Sequence, residues 1–395
     1  MNRLVGLVVA GAVALGLMPA SGHAAADHVE IGFVTTLSGP SGIIGKHMKD
    51  AADLAIDMLG GKIGGIPASI VYGDDQFRPD VGRQVTEEML KRDKVDFLTG
   101  YIWSNVLLAS YEPAIKSGII LIGANAGPHE LAGAMCAPNY FSASWQNDET
   151  PETMGKYMND KGINDVYMIA PNYAAGKDMM NGFRRYFKGR VTAELYTKPG
   201  QADYQVEISE IRAAKPKAVF VFLPGGMGIQ FVKQYAQSGL RETIPLYSAF
   251  SVDETTLPAL GDAAAGNYEA GFWAPDLDNA RNKQFVTAFE AKYHYVPSYY
   301  AAQSFDAINM IDDAVRAVHG DLADKKAMIA RMEQAAYPSV RGHFTYNTNH
   351  FPIEDFYLLR IAKAADGTYI REIDSRVFTD HKDAYYEECH MKPMK

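Results

Sequence analysis

The residues best placed to do chemistry in this sequence are suited to holding an anion. Asn105 stands where a helical segment, 105–116, begins after a short apolar run. The first N–H groups of a helix lack partners within it and sit at the positive end of its dipole, so this point is a natural seat for a carboxylate or phosphate. A helix-capping role for Asn105 is the other reading. Bond-making machinery is absent by contrast. The chain has no G-x-S-x-G elbow, no GxxxxGK[ST] loop and no H-E-x-x-H pair. Its glycine-rich stretch GGKIGG, 60–65, precedes an apolar run instead of following one into a helix, so it is not a dinucleotide loop. His47, His129, His343 and His350 are dispersed without metal-ligand spacing. These observations favour a binder over an enzyme, with no cofactor and no metal.

The N-terminus argues for export. Arg3 precedes an apolar run from Leu4 to Leu17, and small residues gather at Gly22, Ala24, Ala25 and Ala26. This is the order of a secretory signal peptide, 1–26, with cleavage after Ala24 or Ala26. An N-terminal membrane anchor is the alternative, although the run is short for a span. Two cysteines, Cys136 and Cys389, stand far apart in the chain. In an oxidising compartment they invite a disulfide; two separate buried thiols is the other possibility. The formal charge of −9, without basic clusters, leaves no nucleic-acid footprint.

The elements that must position the candidate residues come in strand-then-helix units. Apolar runs at Val29–Thr35, Ala68–Tyr72, Val95–Thr99 and Gly118–Ile122 read as strands, each followed by an amphipathic stretch. The pattern restarts with strands at Asp165–Ala170, Val191–Tyr196, Ala218–Leu223 and Ile244–Tyr247. Continuous apolar strands alternating with helices predict parallel sheets covered on both faces, hence an α/β fold. A chain of 395 residues exceeds one ordinary core, so two domains are expected, with the first break near 141–148. From about 267 onward three helices and two strands, Phe344–Asn347 and Phe356–Ala362, read as the chain returning to domains already begun.

The ordered stretches IGFVTTLSGPSGIIGKHMKDAADLAIDML, GDDQFRPDVGRQVTEEML, VDFLTGYIWSNVLLA, PAIKSGIILIGANAG, DVYMIAPNYAAGKDMMNGFR, KAVFVFLPGGMGIQFVKQ and YYAAQSFDAINMIDDAV carry a resemblance across the whole mature chain. They resemble the type I periplasmic solute-binding proteins of ABC importers, in the branched-chain amino acid group, and within it the members that bind aromatic acids. The resemblance implies two Rossmann-like lobes with parallel-sheet cores, joined by three hinge crossovers and closing on a ligand. Lobe 1 would comprise 27–146 and 275–350, and lobe 2 would comprise 147–274 and 351–395. It also implies a periplasmic, monomeric protein whose partners are a small carboxylate and a membrane ABC permease. A sensory receptor is the alternative partner.

The family's ligand carboxylate is held by a hydroxyl after the third strand and by backbone and hydroxyl groups after the fourth. Carried over, Ser104 is the hydroxyl donor, flanked by Trp103 and Asn105, and Ala124 contributes backbone beside Asn125. Ala126 stands where a threonine is common, so one hydroxyl is missing. Tyr173 matches the tyrosine that closes from the second lobe. The acid that pairs with an amino acid's ammonium falls on Phe250; Asp253 serves only if the register slips by three. A buried ammonium without a partner costs several kcal/mol, roughly, so an amino acid is disfavoured. Tyr101, Trp103, Tyr173, Phe250, Phe272 and Trp273 offer ring surface instead. The expected ligand is an aromatic acid of the benzoate or hydroxycinnamate type, ahead of aliphatic acids and amino acids or amides. Arg78 is read as pairing with Asp74 and Asp75, or else with the ligand.

Overall fold

The computed structural model describes residues 25–392. The expected leader lies outside the described residues apart from Ala25 and Ala26. No helix among the described residues is long and apolar enough to cross a membrane.

The first sheet contains β1 (Val29–Thr35), β2 (Lys62–Ile63), β3 (Ile66–Asp74), β4 (Phe97–Gly100), β5 (Ile120–Gly123) and β6 (Tyr140–Ser142), in the order β2-β3-β1-β4-β5-β6. The second contains β7 (Asp165–Pro171), β8 (Arg190–Thr197), β9 (Ala218–Phe222), β10 (Leu246–Ala249), β11 (Tyr268–Gly271), β12 (Thr345–Tyr346), β13 (Pro352–Lys363) and β14 (Tyr369–His381). Its order is β12-β13-β11-β10-β9-β7-β8, with β14 paired to β13. The pairs β1–β4, β4–β5, β7–β9 and β9–β10 are parallel. Their strands are buried along both faces, which is why they read as unbroken apolar runs.

Both sheets share one plan. Apart from β2, the first runs β3-β1-β4-β5-β6, and the second runs β8-β7-β9-β10-β11 before antiparallel strands extend it. Strand order therefore reverses between β1 and β4 and again between β7 and β9. Open α/β sheets bind ligands at such reversals, beyond the carboxyl ends of the strands.

The chain passes between the sheets three times. It leaves β6 for β7, and after β11 it returns to the first lobe as helices Ala280–Tyr293, Tyr299–Ala317 and Lys325–Met332. The long middle helix packs on helix Gly42–Met58. The third passage runs through β12 into β13. Cys136 and Cys389 are joined by a disulfide, so the C-terminal tail is tied to the loop before β6.

Several elements were not expected from the sequence. β6, with only three residues, shows no period, and β11, with four, is also among them. β14 carries charged residues and is largely open to solvent, because it is the outer arm of a hairpin on β13.

Candidate functional site

A cavity is lined from the carboxyl ends of both sheets. The first lobe contributes Ile102, Trp103 and Ser104 after β4, and Asn125 and Ala126 after β5. The second contributes Tyr173, Ala175 and Met179 after β7, Phe222 and Pro224 at the end of β9, and Phe250 after β10. Trp145 and Asn147 come from the passage leaving β6, and Tyr300 from the first turn of helix Tyr299–Ala317. No lining residue is an Asp, Glu, Lys, Arg or His.

The rings are held by one another and by hydrogen bonds. Trp103 stacks on Phe77 with centroids 3.9 Å apart. Its Nε1 donates to Thr36 Oγ1 at 2.7 Å, and the Thr36 hydroxyl donates to Asp75. Burial pushes the Asp75 carboxyl up to about 6. Tyr173 closes from the other lobe, edge-on to both Trp103 and Phe77 at 6.2 Å. Phe250 stands edge-on to Phe222 at 6.1 Å and to Tyr299 at 5.0 Å. Such offset and edge geometries are the favoured ones for aromatic pairs.

Phe250 has a φ of 57°, in the left-handed region that non-glycine residues seldom occupy. The buried Glu269 carboxylate holds it there. It accepts from the backbone N–H of Phe250 at 3.1 Å and of Val252 at 2.8 Å, and from Ser248 Oγ at 3.1 Å. Burial raises the Glu269 carboxyl to about 8, opposed by the neighbouring Arg371 guanidinium. Backbone strain of this kind is found where a site must be held in one shape.

The polar end of the cavity is built around Ser104, the first residue of helix Ser104–Ser117. Asn147 Nδ2 donates to Ser104 Oγ at 3.0 Å and to Asp178 Oδ2 at 2.8 Å. Asp178 pairs in turn with His129 Nδ1 at 2.7 Å, and that hydrogen bond raises His129 to about 9. The Trp145 indole N–H is buried and has no hydrogen-bond partner among the described residues.

Of the residues singled out in the sequence, Trp103, Ser104, Asn125, Ala126, Tyr173 and Phe250 line the cavity. The amide of Asn125 is already committed, donating to the Ile102 carbonyl and accepting from Gln303. The Ala126 N–H donates to the Tyr101 carbonyl, so it is spent as well. Four others lie outside the lining. Tyr101 has a φ of 64°, and its hydroxyl meets Thr86 at 2.8 Å inside the first lobe. Asn105 is the second residue of its helix, behind Ser104, and Trp103 takes the cap position without a side-chain bond. The N–H of Ala124 is consumed by the Gly100 carbonyl at 2.9 Å. Phe272 sits behind Trp145, stacked at 5.5 Å.

Three further expectations need correction. Trp273 donates to Asn282 and packs away from the cavity. Arg78 pairs with its near neighbour Asp80, not with Asp74 or Asp75, whose oxygens serve the Leu37 N–H and the Thr36 hydroxyl. Asp253 is fully buried and accepts from Tyr299 and Thr255, so it offers nothing to a ligand. Sequence reasoning missed Trp145, Asn147, Met179, Phe222 and Tyr300. Phe222 ends a strand whose loop was recognised, whereas Trp145 and Asn147 lie in a stretch read only as a domain break.

A family model described as periplasmic binding protein matches residues 28–368. The Leu/Ile/Val-binding protein homolog 6 of Brucella melitensis is 26% identical over 361 residues, covering 89% of this chain and 92% of that protein. A solute-binding protein of an ABC transporter from R. palustris, solved in complex with benzoate, superposes with a TM-score of 0.87 at 32% identity, covering 92% of this chain and 99% of that one. Another from Rhodopseudomonas palustris BisB5, solved with 3,4-dihydroxybenzoic acid, gives 0.85 at 25% identity, covering 91% and 99%. These similar proteins are solute binders and not enzymes, and the family implies a periplasmic location. With the twinned sheets and the cavity between them, the match over most of its length means that the chain belongs to the type I periplasmic binding proteins of the branched-chain amino acid family, the solute receptors of ABC transporters.

Proposed function

We propose that the protein captures a small aromatic carboxylate between its lobes and presents it to a membrane ABC permease. One observation carries the reading: the cavity is walled by rings, has neutral donors at one end, and has no charged lining residue. The ring of the ligand lies among Trp103, Tyr173, Phe222 and Phe250. Its carboxylate takes the Ser104 hydroxyl, the unpaired Trp145 N–H and the first amides of helix Ser104–Ser117. Neutral dipoles and a helix N-terminus are enough to hold one negative charge.

The Brucella relative is named for branched-chain amino acids, which makes these the second reading. An amino acid brings an ammonium that must be paired when buried. Phe250 occupies the position expected of the acid, and Asp253 is committed elsewhere. Calorimetric titration with benzoate, 4-hydroxybenzoate and leucine tests the choice. Saturable binding of at least one aromatic acid, and none of leucine, is expected. The reverse result overturns the reading.

A further inference from the structure

We infer that Asn147 sets the polarity of the anion end: it fixes the Ser104 hydroxyl as a donor toward the cavity, so the site takes an ionised aromatic carboxylate and rejects the matching primary amide. The inference rests on the aromatic-carboxylate reading above and adds what selects the ligand's head group.

A serine hydroxyl can donate or accept, so Ser104 alone cannot tell a carboxylate from an amide. Asn147 removes that freedom. Its Oδ1 accepts from the Gly127 N–H at 3.1 Å, and its own N–H donates to the Gly127 carbonyl at 2.8 Å. The amide NH₂ is thereby turned to Ser104 Oγ and to Asp178, and both its protons are spent. Flipping the amide would set an oxygen against the Asp178 carboxylate and an NH₂ against the Gly127 N–H, so the network admits one orientation. Asp178 is 2% exposed and held by both the ring and the backbone N–H of His129. As an acceptor it demands a donor at position 147.

With a lone pair of Ser104 engaged by Asn147, its proton cannot point that way. Among the described residues Ser104 Oγ donates to no protein acceptor, and the side chain lines the cavity. The Trp145 indole can only donate. The Ser104 end therefore presents that hydroxyl as a donor, beside the first N–H groups of its helix. A carboxylate answers them with two acceptor oxygens, whereas the NH₂ of a primary amide meets them donor to donor. Leaving buried donors unpaired is the strongest form of discrimination a small pocket has.

The test exchanges the two side chains in the double variant Asn147→Asp/Asp178→Asn. Total charge is unchanged, Gly127 keeps its acceptor, and His129 keeps an oxygen at position 178. The new carboxylate at 147 draws the Ser104 proton to itself and turns a Ser104 lone pair to the cavity. Titrations of wild type and variant with benzoate and benzamide should show the benzoate affinity falling by at least about tenfold while that of benzamide rises. A fall for benzoate without a gain for benzamide overturns the inference, since repulsion alone would cause it. An unchanged ratio overturns it too. If the exchange fails to fold, Ser104→Ala decides: the preference of wild type for benzoate over benzamide must shrink, and a preserved ratio rejects the inference. Wild type that binds both equally overturns the inference and leaves the proposed function standing. Wild type that binds neither overturns both.

Discussion

The indole of Trp145 lies on the ring of Phe250, with centroids 4.6 Å apart and planes 21° from parallel. Trp145 belongs to the passage between the lobes, and Phe250 to the loop after β10. A wall of the cavity is thus built on the segment that connects the lobes, and the same indole carries an unused N–H.

Trp145→Phe keeps a ring in the stack and removes that donor. A hydrogen bond to a charged acceptor contributes about 1.5–3 kcal/mol. The dissociation constant for an aromatic acid should therefore rise about tenfold or more, with the melting point of the ligand-free protein little changed. Calorimetry showing the same affinity as wild type would remove Trp145 from the anion site.

Gly226 of the second lobe lies against Pro40 of the first. A Cβ on Gly226 would stand 2.8 Å from the Pro40 Cβ and 3.0 Å from its carbonyl oxygen. Gly226→Val should hold the lobes apart. The expected outcome is weaker ligand binding, with a small-angle scattering radius that no longer shrinks when ligand is added. Wild-type affinity and compaction would show that the contact does not govern closure.

His129 is raised from 6.5 to about 9 chiefly by its hydrogen bond to Asp178. A group whose folded pKa lies above its unfolded value stabilises fully below the unfolded value and stops doing so as pH climbs through the folded one. The His129 contribution is thus present below pH 6.5 and lost toward pH 9. Glu254 and Glu269, raised by burial to about 7 and about 8, titrate in the same range, so the informative quantity is a difference. Urea midpoints at both ends of the window should fall less in His129→Gln than in wild type. Equal falls would mean that the pair does not support the fold.

Reduction should release the C-terminal tail from the loop before β6. A disulfide of this kind stabilises by about 2–4 kcal/mol, so the melting point should drop on adding reductant and in Cys136→Ser/Cys389→Ser. Peptide mapping without reductant should recover residues 136 and 389 in one linked fragment. Two free thiols there would contradict the bond.

The fold was legible where one-dimensional signals are strong. The β1 run Val29–Thr35 and the β9 run beginning at Ala218 are buried on both faces, and that burial is what their apolar continuity encodes. β14 was invisible because a solvent-facing hairpin arm needs no apolar period. In the site, Ser104, Tyr173 and Phe250 were readable through the family resemblance, which assigned them to the loops after β4, β7 and β10. Tyr101 misled, since nothing in its residue type announces a left-handed backbone, and with that backbone its ring lies beside Thr86. Trp145 and Asn147 follow a three-residue strand, so no periodicity marked their loop as a strand end. Tyr300 read as one more apolar residue in a long helix; only the packing of that helix brings its first turn to the cavity.

The cavity without counter-charge has a consequence for ionic strength. A receptor that grips its anion with an arginine loses affinity as salt screens the pair. On the proposed reading the grip is by short-range neutral donors in a buried pocket, which salt barely touches. The chain's formal charge of −9 repels an approaching anion, and that long-range field is what salt does weaken. Added salt should leave the escape rate alone and quicken arrival, so affinity for the acid rises slightly with salt, opposite in sign to an ion-paired receptor.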